Sequence, residues 1–135
     1  METQKRKVSV LIPYKIEAGE VCVYLQRRDK HAKRLPDWFG FFGGGADEGE
    51  TPEETIKREI KEELDIEIEG YQYLKQYWGA KDIFYLKVWD TFDADIKILE
   101  GQYGQWFSKQ EILDEPKLID EDKIVLADFY KSIEK

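Results

Sequence analysis

The sequence predicts an α+β fold of the mixed-sandwich type. Two observations indicate this class: β-rich runs and helical runs both carry an apolar face, and they follow one another without the regular alternation of parallel βαβ units. The chain has 135 residues, of which 41% are hydrophobic, and this is enough for one core. Because there is no internal repeat, low-complexity tract or linker, residues 1–135 are predicted to form a single domain.

The N-terminal part begins with two predicted strands, Val8 to Ile16 and Val21 to Gln26, which are separated by a turn at Ala18-Gly19. Apolar residues alternate with others in the second strand, so an antiparallel pair is expected. A short aromatic strand, Trp38 to Phe42, then leads into three glycines. Glycine allows a backbone to approach a ligand closely, so this loop is a candidate binding element.

The C-terminal part is predicted to contain four more strands and two helices. The strands are Ile66 to Leu74, Ile83 to Trp89, Ile96 to Leu99 and Gln105 to Phe107, with a polar loop at Thr91 to Asp95. Ser108 and Glu111 form a capping box that starts a short helix ending near Leu113. A final helix, Asp120 to Lys135, has a moderate apolar stripe and is expected to cover a sheet.

The most informative stretch is the helix that follows the glycine loop. Thr51 is a good N-cap, Pro52 suits the first helical position, and Glu54 completes a capping box with Thr51. The helix is therefore predicted to begin at Pro52. At about 100° per residue, an apolar stripe faces the core, and it consists of Ile56, Ile60 and Leu64.

Three carboxylates lie on the arc directly beside that stripe, namely Glu59, Glu62 and Glu63. Lys57 and Lys61 lie on the far side, so ordinary charge alternation does not explain the acidic arc. Carboxylates from successive helical turns are the ligands that Mg²⁺ accepts together with water and phosphate oxygens. A divalent metal site for phosphoryl chemistry is one interpretation, and a plain solvated surface helix is the alternative.

The spacing in this stretch resembles the Nudix box of the Nudix hydrolase family. The matching positions are Gly44, Glu50, Arg58-Glu59-Ile60, Glu62-Glu63 and Ile66. There are two departures from the family pattern. Asp65 stands where glycine is usual at the end of the helix, and Phe42 stands where many members carry proline. Because aspartate tolerates the left-handed conformation better than most residues, the turn is expected to survive.

The resemblance implies roles for individual residues. Glu59, Glu62 and Glu63 match the metal-binding carboxylates, and the carbonyl group of Gly44 matches a backbone ligand. Glu50 and Arg58 match an ion pair that holds the loop against the helix. The region after the box is also similar, and it makes Glu100 a candidate metal ligand or general base. The catalytic set implied is thus Glu59, Glu63, Arg58 and Glu100, and the implied fold is a mixed sheet between helices, an α/β/α sandwich.

Two further residues are candidates for substrate binding. Arg28, at the end of the second strand, is a candidate phosphate clamp, with a solvated basic loop as the alternative. Trp38 is a candidate for stacking on a nucleobase, with core packing as the alternative.

Composition limits the choice of partners and location. Asp and Glu number 29 against 21 Lys and Arg, which gives a net charge of −8. Duplex nucleic acid and anionic membranes reward positive charge, so neither is expected as a partner. Cys22 is the only cysteine, which fits a reducing compartment. No run is long and apolar enough to span a bilayer, and the N-terminal METQKRK leads into no signal-peptide core, so a cytoplasmic protein is predicted.

The resemblance implies hydrolysis of the diphosphate linkage in a nucleoside diphosphate joined to another group, with Mg²⁺ or Mn²⁺ as cofactor. A small-molecule nucleotide is the expected partner, and we narrowly prefer a nucleoside triphosphate. A dinucleoside polyphosphate and a nucleotide sugar remain as alternative substrates. A module that senses a nucleotide without hydrolysing it is the alternative function. The sequence leaves open whether the chain is a monomer or a homodimer.

Overall fold

The computed structural model of the chain describes residues 6–134, and within them seven strands form one sheet with four helices around it. The strands are β1 (Val8–Glu17), β2 (Glu20–Arg27), β3 (Phe39–Gly40), β4 (Phe42–Gly45), β5 (Gln72–Tyr77), β6 (Lys81–Lys87) and β7 (Tyr103–Phe107). The helices are α1 (Pro52–Leu64), α2 (Phe92–Asp95), α3 (Lys109–Asp114) and α4 (Asp120–Ile133).

The sheet is mixed and is organised around β1. Its main path runs in the order β3-β2-β1-β6-β5, while β4 also pairs with β1 and β7 also pairs with β2. β1 runs parallel to β6, with Val8 opposite Lys81, and antiparallel to β2 and β4. The glycine loop is therefore attached to the central strand of the sheet.

Alternate residues of β1 enter two separate cores, one on each face of the sheet. Leu11 packs in the core that contains the apolar stripe of α1, whereas Val10 and Ile12 pack in the core that contains α4. The stripe residues of α1, namely Ile56, Ile60 and Leu64, are all fully buried. The predicted α+β fold, a mixed sheet between helices, is confirmed.

Helix α1 begins and ends as the sequence predicts. The Thr51 hydroxyl oxygen accepts the backbone N–H of Glu54 at 3.2 Å, and the Thr51 N–H donates to the Glu54 carboxylate at 3.0 Å. Asp65 ends the helix in the left-handed conformation, with φ of 56°, and its N–H donates to the carbonyl of Lys61. Aspartate thus takes the backbone geometry that glycine usually provides at this turn.

Several predicted boundaries are wrong. Residues 66–71 are not a strand, because Ile66 and Ile68 pack into the core below α1 and strand pairing starts only at Gln72. Residues 96–99 are not a strand either. The N–H groups of Lys97 and Leu99 donate to the carbonyls of Leu64 and Glu63, which the end of α1 leaves open.

Two smaller differences concern helices, and two predictions fall partly outside the described residues. The predicted polar loop at Thr91 to Asp95 contains the short helix α2, which forms because Phe92 is buried beneath it. The final helix ends at Ile133, and the part of that prediction that concerns Lys135 lies outside the described residues. The expectation about the N-terminal METQKRK also falls largely outside them. Among residues 6–134, no helix combines the length and the apolar character needed to cross a bilayer.

The left-handed conformation of Asp65 gives a first prediction. Replacing Asp65 with glycine should raise the free energy of unfolding by about 0.5 kcal/mol, because glycine adopts positive φ without steric cost. Replacing it with alanine should lower that free energy by about 1 kcal/mol, because the Cβ strain remains and the polar side chain is lost. Urea denaturation of the three chains measures both changes. An alanine variant more stable than the glycine variant would contradict the proposed role of this turn.

Candidate active site

The glycine loop and helix α1 touch where Gly44 meets Glu59. Gly44 lies in β4, paired with Ser9 of the central strand, so its backbone is fixed by the sheet. A Cβ atom built on Gly44 would lie 2.5 Å from the carboxyl carbon of Glu59. The Glu59 carboxylate thus lies where a Cβ atom of residue 44 would be, and it would have to shift if residue 44 carried a side chain.

Glu63 is the buried carboxylate of the site, with 2% of its surface exposed. One of its oxygens accepts the backbone N–H of Gly43 at 2.7 Å, and the other accepts the side-chain amide of Gln26 at 3.3 Å. Burial raises the pKa of Glu63 to about 8, even though the Gly43 hydrogen bond favours the charged form. The negative charges of Glu100 and Glu59 raise this pKa further.

Glu100 lies near the end of α1 because residues 96–99, which were wrongly predicted to form a strand, bond to that end of the helix. The Leu99 N–H donates to the carbonyl of Glu63 at 2.8 Å, and the Gln26 amide donates to the carbonyl of Glu100 at 3.1 Å. These bonds hold the backbone of Glu100 beside the end of α1. Its side chain is exposed and lines a cavity of about 150 Å³ together with Arg28.

Arg58 connects the loop to the acidic arc through one guanidinium group. Its Nε and Nη2 donate to the two oxygens of Glu50 at 2.8 and 2.9 Å, and Nη2 also donates to the carbonyl of Gly45 at 2.9 Å. Its Nη1 donates to Glu59 at 3.0 Å and to Glu62 at 3.2 Å. The guanidinium lowers the pKa of Glu50 to about 2 and, through these bonds, has its own pKa raised.

The carboxylates of α1 differ in their surroundings. The Glu59 side chain is 14% exposed and burial raises its pKa, whereas the Glu62 side chain is 49% exposed. Among residues 6–134, no three Asp, Glu, His or Cys side chains are already arranged so that they could hold a metal ion together. Glu59 and Glu62 are instead engaged with Arg58, and Glu63 with Gly43 and Gln26.

The donor set nevertheless suits a hard divalent cation. It consists of carboxylate oxygens beside a backbone that approaches without a side chain at Gly44, and these are the ligands that Mg²⁺ and Mn²⁺ prefer. The pKa values of Glu59 and Glu63 are both raised, with the other carboxylates among the causes. A cation held between them would offset this repulsion. The residues present therefore fit the metal that the sequence predicts.

The structure separates the two candidate substrate-binding residues. Arg28 lines both the cavity that contains Glu100 and a second cavity, of about 200 Å³, that is lined by Gly43 and Gly44. Its Nε donates to the carbonyl of Arg34 at 3.0 Å. Trp38 is half-buried before β3 and does not line either cavity, and its carbonyl oxygen accepts the N–H of Arg28.

Sequence reasoning missed three residues at the site, namely Gln26, Lys81 and Asp122. Gln26 is only 7% exposed and bonds both to Glu63 and to the carbonyl of Glu100. A polar residue at the end of an apolar strand was the one available signal for it. Lys81 and Asp122 lie far apart in the sequence and meet only in the fold, at 3.2 Å. No local pattern predicts that pair.

The fold and the carboxylate-bearing helix at its glycine loop define an α/β/α sandwich with a candidate metal centre. The model of the NUDIX domain matches residues 5–129, so the chain belongs to the Nudix hydrolase family.

Relatives of known name and structure agree with this assignment. Dihydroneopterin triphosphate diphosphatase from Escherichia coli is 35% identical over 68 residues, which are 50% of this chain and 42% of that protein. The match thus spans less than half the length of the curated relative. The NUDIX domain of Shewanella oneidensis NrtR, solved as a complex with ADP ribose, superposes with a TM-score of 0.73 at 14% identity, covering 98% of this chain and 90% of that chain. A MutT structure from work on Aliivibrio salmonicida and Vibrio cholerae gives a TM-score of 0.72 at 20% identity, with 95% and 99% covered.

The central position of Arg58 gives a second prediction. Arg58→Met should lower the free energy of unfolding by about 1.5–3 kcal/mol, because it leaves Glu50 and Glu59 without their charged donor. Lys57→Met removes the same charge from the exposed side of the same helix, and it should change stability by less than about 0.5 kcal/mol. Denaturant unfolding of both variants measures the difference. Equal losses would mean that Arg58 does not hold the loop to the helix.

Proposed function

We propose that this chain is a pyrophosphohydrolase that cleaves a diphosphate linkage in a nucleoside-triphosphate-like compound and requires Mg²⁺ or Mn²⁺. The observation that carries this proposal is Glu63, a buried carboxylate fixed by the N–H of Gly43 and placed next to Glu59 and Glu100. Burying a charged carboxylate costs free energy, and raised pKa values of this kind are typical of functional sites.

The proposed roles follow from the contacts. Glu59, Glu62 and Glu63, with the carbonyl oxygen of Gly44, would hold the divalent cation. When bound, Mg²⁺ or Mn²⁺ would neutralise the phosphate charge and lower the pKa of a bound water. Glu63 and Glu100 are the candidates to accept the proton of the attacking water. The side-chain amide of Gln26 donates both to the Glu63 carboxylate and to the backbone carbonyl of Glu100, and this brings the two residues near each other. Arg58 is a positioning residue, because it orients Glu59 and Glu62.

Arg28 is the proposed phosphate clamp. It lies between the cavity beside Glu100 and the cavity beside Gly43 and Gly44, so an extended polyphosphate that crosses from one to the other would pass its guanidinium group. Guanidinium groups pair with phosphate oxygens through two parallel hydrogen bonds. The contact of Arg28 Nε with Arg34 would hold the side chain in place for this role.

The substrate class is supported by the relatives. The matched diphosphatases act, by their name, on dihydroneopterin triphosphate, a heterocycle that carries a triphosphate chain. The NrtR domain of similar fold is solved with ADP ribose, in which a diphosphate joins a nucleoside to a sugar. Both compounds contain the linkage that the proposed site would cleave. A triphosphate remains preferred because that match is the one that rests on sequence identity.

Removing individual carboxylates tests the mechanism. Glu59→Gln and Glu63→Gln should each lower kcat by about 100-fold or more, because a neutral amide neither accepts a proton nor compensates a cation. The measurement is the release of pyrophosphate or phosphate from a panel of nucleoside and pterin triphosphates in the presence of Mg²⁺ or Mn²⁺.

Glu53→Gln is the matched control, because Glu53 is an exposed acid in the first turn of the same helix. It should retain the activity of the unaltered chain. Full activity in both Glu59→Gln and Glu63→Gln would rule out the proposed mechanism. Tight binding of the panel without any turnover would instead favour a nucleotide-sensing module.

The pKa of Glu63 predicts how stability depends on pH without a divalent ion. The folded chain holds this proton up to a pKa of about 8, against the ordinary value of 4.5. The contribution to stability is fully present below about pH 4.5 and is lost as the pH rises through about 8. We expect the thermal midpoint of the metal-free chain to fall across this window, and to fall less in Glu63→Gln. Identical profiles for the two chains would contradict the burial of a carboxyl group here.

Divalent cations should stabilise the chain more at high pH than at low pH. Carboxylates bind a cation only when they are deprotonated, so Mn²⁺ should raise the thermal midpoint more at about pH 9 than at about pH 5. Glu53→Gln should respond like the unaltered chain, whereas Glu63→Gln should respond weakly at both pH values. A response of Glu63→Gln equal to that of the unaltered chain would place the cation elsewhere.

A further inference from the structure

The loop that carries Glu100 is anchored on either side of that residue. Before it, the Leu99 N–H donates to a carbonyl oxygen in the last turn of α1 at 2.8 Å. After it, the Gln102 N–H donates to the carbonyl oxygen of Arg27, the last residue of β2, at 2.8 Å. Glu100 and Gly101 therefore form the tip of a loop that bridges the helix and the sheet.

Gln26 bonds to this tip from strand β2. Its side-chain amide donates to the carbonyl oxygen of Glu100 at 3.1 Å, and within residues 6–134 the backbone of Glu100 and Gly101 makes no other hydrogen bond. The same amide nitrogen donates to the carboxylate of Glu63 at 3.3 Å. One nitrogen thus lies within hydrogen-bond distance of the buried carboxylate of Glu63 and of the backbone that carries the carboxylate of Glu100.

The tip also packs directly on the aliphatic part of the Gln26 side chain. Gly101 has a φ of 82°, which glycine adopts without steric cost. A Cβ atom built on it would lie 2.8 Å from Gln26 Cγ and 2.9 Å from the carbonyl oxygen of Arg27. Gln26 is itself only 7% exposed. A buried side chain with two hydrogen bonds has little rotational freedom, so the tip rests on a fixed group.

The side chain of Glu100 needs such a contact because it is exposed on an irregular loop. It lines the cavity of about 150 Å³ that Arg28 also lines. Its charge is among the causes that raise the pKa values of Glu59 and Glu63, so the three carboxylates repel one another. This repulsion favours a loop that turns toward solvent. The hydrogen bond from Gln26 opposes that displacement.

We infer that Gln26 is a positioning residue that holds Glu100 beside the carboxylates of α1. The inference rests on the proposed function, because it concerns Glu100 as the group that accepts the proton of the attacking water. Gln26 acts through Glu100, since a neutral amide is not itself a proton acceptor for this step. A general base works only within hydrogen-bond reach of its water. A displaced tip should therefore slow the chemical step more than it weakens substrate binding.

Hydrogen exchange without metal tests whether Gln26 holds the tip. Gln26→Met keeps a side chain of similar length but removes the amide, so the backbone amides of residues 97–102 should exchange at least about 5-fold faster. Gln105→Met makes the same change in the neighbouring strand β7, opposite Leu25. It should leave the exchange of residues 97–102 as in the unaltered chain. Exchange that is equally slow in Gln26→Met and in the unaltered chain overturns the inference.

A double-mutant cycle assigns the kinetic effect to Glu100. With Mg²⁺ or Mn²⁺, Gln26→Met should lower kcat by about 10- to 100-fold and change KM by less than about 3-fold. In a chain that already carries Glu100→Gln, the same substitution should lower kcat by less than about 3-fold, because the group that it positions is gone. Gln105→Met should keep the kcat of the unaltered chain. Equal losses in the two backgrounds would mean that Gln26 acts through Glu63 or through the fold, and they overturn the inference, as does an unchanged kcat.

A second variant disturbs the same contact from the loop. The Cβ atom of Gly101→Ala would have to displace either the tip or the side chain of Gln26. It should therefore lower kcat and speed the exchange of residues 97–102 in the same direction as Gln26→Met. If circular dichroism shows that Gln26→Met is unfolded, Gly101→Ala decides. An unchanged kcat and unchanged exchange in that variant would then overturn the inference.

Failure of the proposed function gives a different result. In that case, the unaltered chain would hydrolyse no compound of the panel in the presence of Mg²⁺ or Mn²⁺. The exchange of residues 97–102 requires no turnover, so it would then decide alone whether Gln26 holds Glu100. Faster exchange in Gln26→Met would support that contact, and unchanged exchange would overturn it.

Discussion

The site depends on the contact between the backbone of Gly44 and the carboxylate of Glu59. β4 fixes Gly44 against the central strand, and Arg58 fixes Glu59 while it also bonds to Glu50 and to the carbonyl of Gly45. One guanidinium group therefore connects β4, a strand of the sheet, to the helix α1 that packs against it. Separating the loop from the helix would break the charge-assisted hydrogen bonds that Arg58 donates to Glu59, Glu50 and the carbonyl of Gly45. Arg58 positions the carboxylates of Glu59 and Glu62, whereas the apolar stripe of α1 packs the helix against the sheet.

The burial of Glu63 sets a second constraint that opposes folding. A carboxylate with 2% exposure costs free energy when charged, and the N–H of Gly43 and the amide of Gln26 offset only part of that cost. The group responds by holding its proton, as its pKa of about 8 shows. A core built only for stability would have an apolar residue or a neutral amide at this position. The chain instead keeps a buried acid beside Glu59 and Glu100, and carboxyl groups with raised pKa values of this kind are typical of functional sites.

Features that nearby residues determine could be predicted from the sequence, whereas features that depend on contacts between distant segments could not. The capping box at Thr51 and the stripe of Ile56 are set by residues a few positions apart, and both were predicted from that spacing. The ion pair of Arg58 with Glu50 and the left-handed turn at Asp65 were implied by the resemblance to the Nudix box, and the structure contains both. Residues 96–99 were read as a strand because their apolar residues resemble one, but their N–H groups bond to the end of α1 instead of a neighbouring strand. Gln26 and the pair of Lys81 with Asp122 depend on contacts between distant segments, which no spacing rule detects.

The charge of the whole chain and the charge of the cavity have opposite signs. The net charge is −8, which on its own would repel a polyphosphate. The cavity beside the glycine loop is lined by three cationic side chains, those of Arg28, Arg34 and Lys81, against the single carboxylate of Asp122. Charges more than about 10 Å away are largely screened in physiological salt, so a ligand that enters the cavity meets mainly these nearby groups. The positive side of the site thus comes from the loop after β2 and from β6, and the negative side from α1. The cavity therefore presents mainly cationic side chains although the chain as a whole is acidic.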